Sequence, residues 1–336
     1  MLKFGLIFCQ LNFFSYICIM EENTLLLKQF RSKFVKDYQL PIQVVQSPYF
    51  DEHIKLLEDD CHANTKYLDL LETVRDKFNS NMQKFLEYRH SIEDQILGYI
   101  LNSEAYKAFN GDKSTIPSET PIVGSPELYT KEQCGCFFVS YDMIKANFQA
   151  LRYADPAIVK DCDTYEEFIE KFTDIEYFKH AKQLRQVLFG KLNGKRTSSI
   201  EKYISNLFAK ELAKRFDGKM KLYSIKTDEI ILKFLGTEEE FKKLAVNNEK
   251  FMGFRFRVNK FKLVSKDFKR GNSDKNLTVY IKEDYLNGGR RTLHCVPDTY
   301  YPQVYKLLNG MEITPSDLVF YYDHELAKFM YPLELL

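Results

Sequence analysis

Two apolar, strand-like runs that each end at an aspartate constrain the fold of this 336-residue chain more than any other feature. The first run is 134–141, and Asp142 follows it directly, before a stretch with helical spacing. The second run is 219–226. It is followed by the dipeptide Thr227-Asp228 and then by a further strand-like run, 229–234. A two-residue connection between such runs is typical of a β-hairpin, so the sequence predicts Asp228 at a hairpin tip.

Helical spacing dominates much of the remaining chain. Apolar residues recur at every third or fourth position in 68–109, 164–172, 175–192 and 200–216. Strand-like alternation returns in 254–264, where apolar and basic residues alternate. The mixture of these patterns predicts an α+β protein with an antiparallel sheet.

Two helix starts carry a capping-box pattern, in which a Ser or Thr is followed three residues later by a Glu. One pattern is Ser198-x-x-Glu201, which opens the 200–216 helix. The other is Thr237-x-x-Glu240, which follows the predicted hairpin. The sequence therefore predicts helices that begin at these two positions.

The net charge of the chain is too small to produce a strong overall electrostatic field, but individual segments are strongly charged. The chain has 48 Lys and Arg against 47 Asp and Glu, a formal charge of +1, so any nucleic acid must be held by a local patch. Residues 179–221 carry 12 basic and 3 acidic side chains, a net charge of +9. Residues 250–270 carry 8 basic and 1 acidic side chain, a net charge of +7. Segments of one sign favour contact with phosphates.

The first twenty residues have two interpretations. Residues 4–20 hold no charge and follow Lys3, as in a signal or anchor core, although about 17 residues is the lower limit for a membrane span. Alternatively, translation starts at Met20, ahead of an amphipathic helix at 25–34. Seven scattered cysteines are typical of reduced thiols. We therefore expect an intracellular, cytoplasmic protein without stable membrane association.

The two aspartates at strand ends suit metal-dependent phosphoryl transfer. That chemistry uses two divalent ions about 3.5–4 Å apart, held by carboxylates on rigid elements. Asp142 and Asp228 meet only if their strands are neighbours in one sheet. The alternative interpretation is that each is an ordinary turn or helix-capping aspartate.

Three segments resemble motifs of the family A DNA polymerases, the bacterial polymerase I type. Residues 142–156, Asp-Met-Ile-Lys-Ala-Asn-Phe-Gln-Ala-Leu-Arg-Tyr-Ala-Asp-Pro, resemble motif A. Residues 185–194, Arg-Gln-Val-Leu-Phe-Gly-Lys-Leu-Asn-Gly, resemble motif B. Residues 223–230, Tyr-Ser-Ile-Lys-Thr-Asp-Glu-Ile, resemble motif C. The motifs follow the order of the family, and the resemblance extends over about residues 74–265.

The resemblance implies a polymerase-like palm with an antiparallel sheet, a helical thumb-like segment and truncated fingers. It divides the chain into an N-terminal segment (1–45), the thumb-like segment (46–125), the palm (126–270) with its reduced fingers (156–197), and a small C-terminal domain (271–336). The resemblance assigns no role to the C-terminal domain.

The resemblance also implies a set of site residues. Asp142 and Asp228 correspond to the metal-binding aspartates, so two Mg²⁺ ions are expected there, with Glu229 assisting. The expected nucleotide-binding residues are Lys179, Lys182, Arg185, Phe189, Asn193 and Asn147. The cations are expected to neutralise the triphosphate, and the phenylalanine to pack against the base. The alternative interpretation is that Phe189 is a core residue and that Lys179, Lys182 and Arg185 form one solvated helix face. Relative to the family, Arg185 replaces a lysine, Asn193 a tyrosine and Asn147 a glutamate.

Together these expectations describe a metal-dependent nucleotidyltransferase. It extends a nucleic-acid primer on a template with deoxynucleoside triphosphates, in the cytoplasm or at a replication site. Two alternatives remain open. The replaced motif residues favour a catalytically degenerate palm that binds nucleic acid or a replication partner. The other alternative is a structural or interaction protein in which the motif matches arise by chance.

Overall fold

Helices form the N-terminal part of the molecule. The computed structural model describes residues 24–112, 114, 120–271, 273–286, 288–323 and 325–336. The uncharged stretch at 4–20 and the alternative start at Met20 lie outside the described residues. The first six helices are α1 (Thr24–Tyr38), α2 (Tyr49–Leu56), α3 (Glu58–Cys61), α4 (Ala63–Phe78), α5 (Met82–Asn102) and α6 (Glu104–Gly111). The helical pattern at 68–109 is thus divided among three helices, and Asn81 and Ser103 cap the second and third.

Seven more helices follow in the described chain. They are α7 (Ala146–Ala154), α8 (Tyr165–Glu170), α9 (Tyr177–His180), α10 (Lys182–Gly190), α11 (Gly194–Arg215), α12 (Glu238–Lys243) and α13 (Tyr301–Leu308). The predicted helix at 175–192 is two helices, because Ala181 is extended and separates α9 from α10. None of the described helices is long and apolar enough to span a membrane.

The two predicted capping boxes have different outcomes. The box at Thr237 is confirmed, since its side chain and that of Glu240 bind each other's backbone N–H groups. The box at Ser198 is wrong. α11 begins one turn earlier, where the side chain of Asn193 accepts a hydrogen bond from the backbone of Arg196 at 3.2 Å. Ser198 therefore lies inside the helix.

Eight strands of the described residues form one antiparallel sheet, which confirms the α+β class. They are β1 (Phe137–Met143), β2 (Met220–Ile225), β3 (Glu229–Phe234), β4 (Glu249–Phe251), β5 (Phe254–Arg270), β6 (Leu277–Asp284), β7 (Arg291–His294) and β10 (Leu333–Leu335). Six of them follow the order β2-β3-β1-β5-β6-β7, and both β4 and β10 pair with β5. Two further strands, β8 (Val319–Tyr322) and β9 (Glu325–Lys328), form a separate hairpin.

The central strand β1 has two different faces, because successive side chains of a strand point to opposite sides. Tyr141 lies on one face and contacts Phe208 of α11, with 5.5 Å between ring centroids. Phe138 lies on the other face and stacks on Phe261 of β5 at 5.7 Å. The first face belongs to the large core shared with the helices, and the second to a smaller core closed by Leu128. Asp142 shares the face of Phe138.

The sheet continues across the boundary expected at residue 270. β6, β7 and β10 lie beyond that residue, yet all three belong to the sheet that contains β1. A third core of Phe268, Val279, Ile281, Val304 and Leu333 joins β5 to the C-terminal residues. The expected C-terminal domain at 271–336 is therefore in large part an extension of the central sheet, because its strands complete the hydrogen bonding of the long strand β5.

A buried carboxylate joins the N-terminal helices to α9 and α10. Asp37 at the end of α1 accepts hydrogen bonds from Arg89 of α5 at 2.9 Å and from Tyr177 of α9 at 2.7 Å. The backbone N–H of Leu184 in α10 donates to the same carboxylate at 3.2 Å. We call Asp37 and these three donors the Asp37 network. It fixes α10 in place, and α10 carries Lys182 and Arg185.

Candidate functional site

The structure brings Asp142 and Asp228 together at one end of the sheet. β1 and β3 pair antiparallel, with Asp142 directly opposite Glu229. One residue further along β1, the backbone N–H of Met143 donates a hydrogen bond to the carbonyl oxygen of Asp228 at 2.7 Å. The two aspartates are 86 positions apart along the chain and belong to adjacent backbone segments in space. We call Asp142, Asp228 and Glu229 the carboxylate corner.

Helix α11 holds the hairpin tip in place from the other side of the sheet. The hydroxyl of Ser205 donates a hydrogen bond to the backbone oxygen of Thr227 at 3.0 Å. Thr227 directly precedes Asp228, so this bond restrains the chain that carries the carboxylate. The second aspartate is thus positioned by both its strand pairing and the helix.

The charges of the carboxylate corner act on each other. Partial desolvation, followed by the negative charge of Asp142, raises the pKa of Asp228 above its ordinary value. The residue is exposed by surface area, so the protein crowds its carboxyl group on one side and leaves another side open to solvent. Repulsion between two carboxylates is the arrangement that a bound cation relieves.

Cations border the carboxylate corner on the β5 and β6 sides. Arg257 of β5 lies opposite Asp142 in the sheet register, and its Nη2 is 2.8 Å from Oδ2 of that aspartate. Glu229 lies between Lys226 and Lys282, with nitrogen–oxygen distances of 3.9 and 4.0 Å. Glu229 is therefore already balanced by two ammonium groups, whereas Asp228 lies at the open side.

Helix α10 presents two further cations to the same end of the sheet. Lys182 lies within electrostatic range of both aspartates. Desolvation and the charge of Arg185 lower the pKa of Lys182, while the aspartates oppose that shift. Arg185 is partly buried, and its guanidinium lies over the ring of Tyr165, 5.6 Å from the ring centroid. Lys182 is thus at the site, and Arg185 lies within electrostatic range of Lys182.

A second pair of basic residues continues from Arg185 away from the aspartates. Lys145, at the start of α7, lies within electrostatic range of Arg185 and Arg255 and forms an ion pair with Glu166. Gln149 fixes α7 to β5, since it accepts a hydrogen bond from the backbone N–H of Arg255 at 2.6 Å. Basic residues therefore lie on α10, at the start of α7 and on β5, and Glu166 balances one of them.

The other four predicted nucleotide-binding residues have other contacts. Lys179 forms ion pairs with Glu170 and Glu176 at 2.7 and 2.6 Å, so two carboxylates already balance its charge. Asn193 caps α11, and Asn147 is exposed on the first turn of α7.

The role predicted for Phe189, packing against the base of the nucleotide, is wrong. Its side chain is only 4% exposed and packs between Phe148 and Tyr165, with ring centroids 6.5 and 6.1 Å away. Core packing occupies the ring because α10 is amphipathic and turns this position toward the interior.

Sequence reasoning missed Arg257 and Glu201. Glu201 lies inside α11 and is only 5% exposed, and its Oε1 has no hydrogen-bond partner in the described structure. Burial, and then the charge of Asp228, raise the pKa of Glu201 to about 7. The signal was its helical spacing with the buried residues Thr197, Ser205 and Phe208, which places it on the inner face. For Arg257, the sequence signal is the alternation of apolar and basic residues in 254–264.

The donor set fits a metal ion that takes part of its coordination from a substrate. Among the described residues, no group of three or more His, Cys, Asp or Glu side chains could hold a metal ion. Mg²⁺ is commonly held by one or two carboxylates together with substrate phosphates rather than by a complete protein cage. Asp142 and Asp228, two mutually repelling carboxylates beside basic residues, match that description.

Comparisons with known proteins do not assign the chain to a family. No family model matches it, and neither a curated protein nor a solved structure matches it.

Proposed function

We propose that the protein is a metal-dependent nucleotidyltransferase that extends a nucleic-acid strand, with a palm related to that of the family A DNA polymerases. One observation carries the proposal. Two aspartates from distant motifs end on adjacent segments of one antiparallel sheet, at the end faced by the motif B helix α10. The strand order β2-β3-β1-β5 supports it as well, because the motif A strand lies between the motif C hairpin and a late strand.

In this proposal Asp142 and Asp228 hold two Mg²⁺ ions. Ions held by these two carboxylates would supply charge to lower the pKa of the primer 3′-hydroxyl and to balance the transferring phosphate. Lys182 and Arg185 bind the phosphates of the incoming nucleotide, since Arg and Lys are the usual partners of phosphate oxygens. Lys145 and Arg255 are basic residues close to this region, and Glu166 already balances the charge of Lys145.

Primer extension tests the proposal. A labelled primer is annealed to DNA and to RNA templates and incubated with Mg²⁺ and deoxynucleoside or ribonucleoside triphosphates. We expect incorporation by the wild type and a loss of at least about 100-fold in Asp228→Asn, equivalent to about 2.7 kcal/mol. Asp217→Asn is the matched control, because Asp217 is exposed in the turn before β2. Equal activity of wild type and Asp228→Asn contradicts the proposal, as does the absence of incorporation by the wild type with every template.

A second candidate function is a palm that binds nucleic acid without catalysis. The contact of Arg257 with Asp142 favours it, because a guanidinium then neutralises one of the two carboxylates. The replacement of the family's motif residues by Asn147 and Asn193 favours it too. Salt-dependent binding of a primer–template by a wild type that incorporates no nucleotide would select this function.

A further inference from the structure

Arg257 and Asp142 form a cross-strand ion pair within the carboxylate corner. They are direct partners in the β1–β5 register, and Nη2 of the arginine lies 2.8 Å from Oδ2 of the aspartate. The arginine side chain is 62% exposed and the aspartate side chain 31% exposed. The guanidinium therefore approaches the carboxylate from the solvent side and is only loosely enclosed.

This contact occupies one of the two carboxylate oxygens with which Asp142 could hold a metal ion. A divalent cation at Asp142 and the guanidinium at Oδ2 are both positive, so they repel each other at that distance. Lys182 adds a further positive charge within range of the same carboxylate. Metal binding at Asp142 is consequently opposed as long as Arg257 remains in contact with it.

The ion pair is weak enough to exchange. Ion pairs between exposed groups contribute little because water competes for both partners and a long side chain loses freedom on pairing. Arginine is also a strong bidentate ligand for phosphate, so a released guanidinium finds a partner wherever nucleic acid or nucleotide is bound.

We propose that Arg257 is an exchangeable counter-ion of Asp142, which neutralises this carboxylate in the metal-free protein and competes with a divalent cation for it. The inference rests on the proposed function only in taking Asp142 as a metal ligand. Arg257 is in this sense a positioning residue: it sets how readily the site accepts the metal.

Direct titration with Mn²⁺ tests the proposal without substrate or catalysis. Free Mn²⁺ is followed by electron paramagnetic resonance in the wild type, Arg257→Gln, Arg257→Lys and Asp142→Asn. We expect Arg257→Gln to bind Mn²⁺ about two- to fivefold more tightly than the wild type, because an exposed ion pair no longer competes. Arg257→Lys keeps the charge and is expected to stay within about twofold of the wild type.

Arg255→Gln is the matched control. It removes the same charge from the same strand, two residues away, and Arg255 hydrogen-bonds the backbone of Asp163 rather than Asp142. Its affinity for Mn²⁺ is expected to change less than that of Arg257→Gln. An equal gain in both variants would overturn the proposal, because general charge and not the ion pair would then explain the effect.

The remaining outcomes separate this inference from the proposed function. Unchanged or weaker Mn²⁺ binding in Arg257→Gln overturns the inference alone, provided that Asp142→Asn loses binding. Wild-type affinity in Asp142→Asn places the metal elsewhere and overturns both. Absence of Mn²⁺ binding in the wild type and in Arg257→Gln also overturns the counter-ion proposal. Circular dichroism of each variant verifies that the fold is retained.

Discussion

The Asp37 network and the carboxylate corner are both built around aspartates, but they treat the charge in opposite ways. Asp37 has no exposed surface and accepts hydrogen bonds from three donors on α5, α9 and α10. At the carboxylate corner, Asp228 is exposed, and its pKa is raised by desolvation and by Asp142. One carboxylate is saturated with donors, and the other remains available to an external cation.

This difference separates a structural charge from a functional one. A buried carboxylate that is fully hydrogen-bonded holds helices together, and the loss of its partner leaves an uncompensated charge. A carboxylate with a raised pKa stores unfavourable energy in the folded state, which a ligand can relieve. The same residue type thus stabilises the fold at one position and favours binding at the other.

The largest difference in stability is expected between a variant that lacks Asp37 and a variant that lacks Asp228. Asp37→Ala leaves the buried guanidinium of Arg89 with only the longer contact to Glu93 at 3.9 Å, so we expect a loss of about 3–5 kcal/mol in the free energy of unfolding. Asp228→Ala removes a carboxylate that is already unfavourable, so we expect a change within about 1 kcal/mol of the wild type, or a gain. Urea unfolding in a chelating buffer measures both.

The exposed Asp217→Ala serves as a baseline for the loss of one negative charge near the hairpin. If Asp228→Ala destabilised the protein as much as Asp37→Ala, the carboxylate corner would be a structural ion-pair site. The contrast between the two regions would then disappear.

Glu201 provides a further test of how buried carboxylates affect the fold, through the pH dependence of the free energy of unfolding. Its pKa is raised to about 7 in the folded protein, mainly by burial, against 4.5 as the ordinary value. Stability from this group is complete below pH 4.5 and is lost as the pH rises through 7, because the unfolded chain releases its proton first. Between pH 5 and pH 8 we expect the wild type to lose about 2–3 kcal/mol more than Glu201→Gln. Urea unfolding at several pH values measures the two slopes.

The control for that experiment is Glu211→Gln on the same helix. The Glu211 side chain is 45% exposed and forms an ion pair with Arg215, so its variant is expected to follow the wild-type pH dependence closely. Parallel pH curves for the wild type and Glu201→Gln would show that Glu201 is ionised in the fold near its ordinary pKa, contrary to the prediction.

The smallest expected effect concerns one lysine of α9 and one of α10. Lys182 lies near both aspartates, whereas Lys179 is held by Glu170 and Glu176. We expect Lys182→Gln to weaken the binding of a nucleoside triphosphate about tenfold, or 1.4 kcal/mol, and Lys179→Gln to leave it within about twofold. Isothermal titration calorimetry at low salt measures both. A larger loss in Lys179→Gln than in Lys182→Gln would place the phosphates nearer to α9 than to α10.

The sequence predicted the elements of the site better than it predicted their boundaries. The hairpin expected at 219–226 and 229–234 is present as Met220–Ile225 and Glu229–Phe234, because alternation and a two-residue connection are local properties. The helix at 175–192 is interrupted at Ala181, since a single residue with extended backbone leaves the apolar spacing almost unchanged. The meeting of Asp142 and Asp228 was predicted only on the condition that their strands are neighbours.

Side-chain roles were harder to predict than backbone positions. The basic segment at 179–221 is predicted to face phosphates, yet Lys179 is neutralised by Glu170 and Glu176, which precede it in the chain. Phe189 is a core residue, and Glu201 is a buried acid rather than part of a capping box. Each of these outcomes depends on which face of a helix is covered by a neighbour, and helical spacing alone does not identify that neighbour.

The amino-acid sequence by itself determined the first strand, the hairpin formed by β2 and β3 and part of the helices, and it placed Asp142 near the end of that strand and Asp228 in the hairpin connection. These features arise from interactions between residues close in the chain. Only the tertiary structure decided that β1 lies between β3 and β5 and that Arg257 contacts Asp142. The physical reason is that strand order and register are set by contacts between distant segments. Their charges become neighbours only once the sheet has formed.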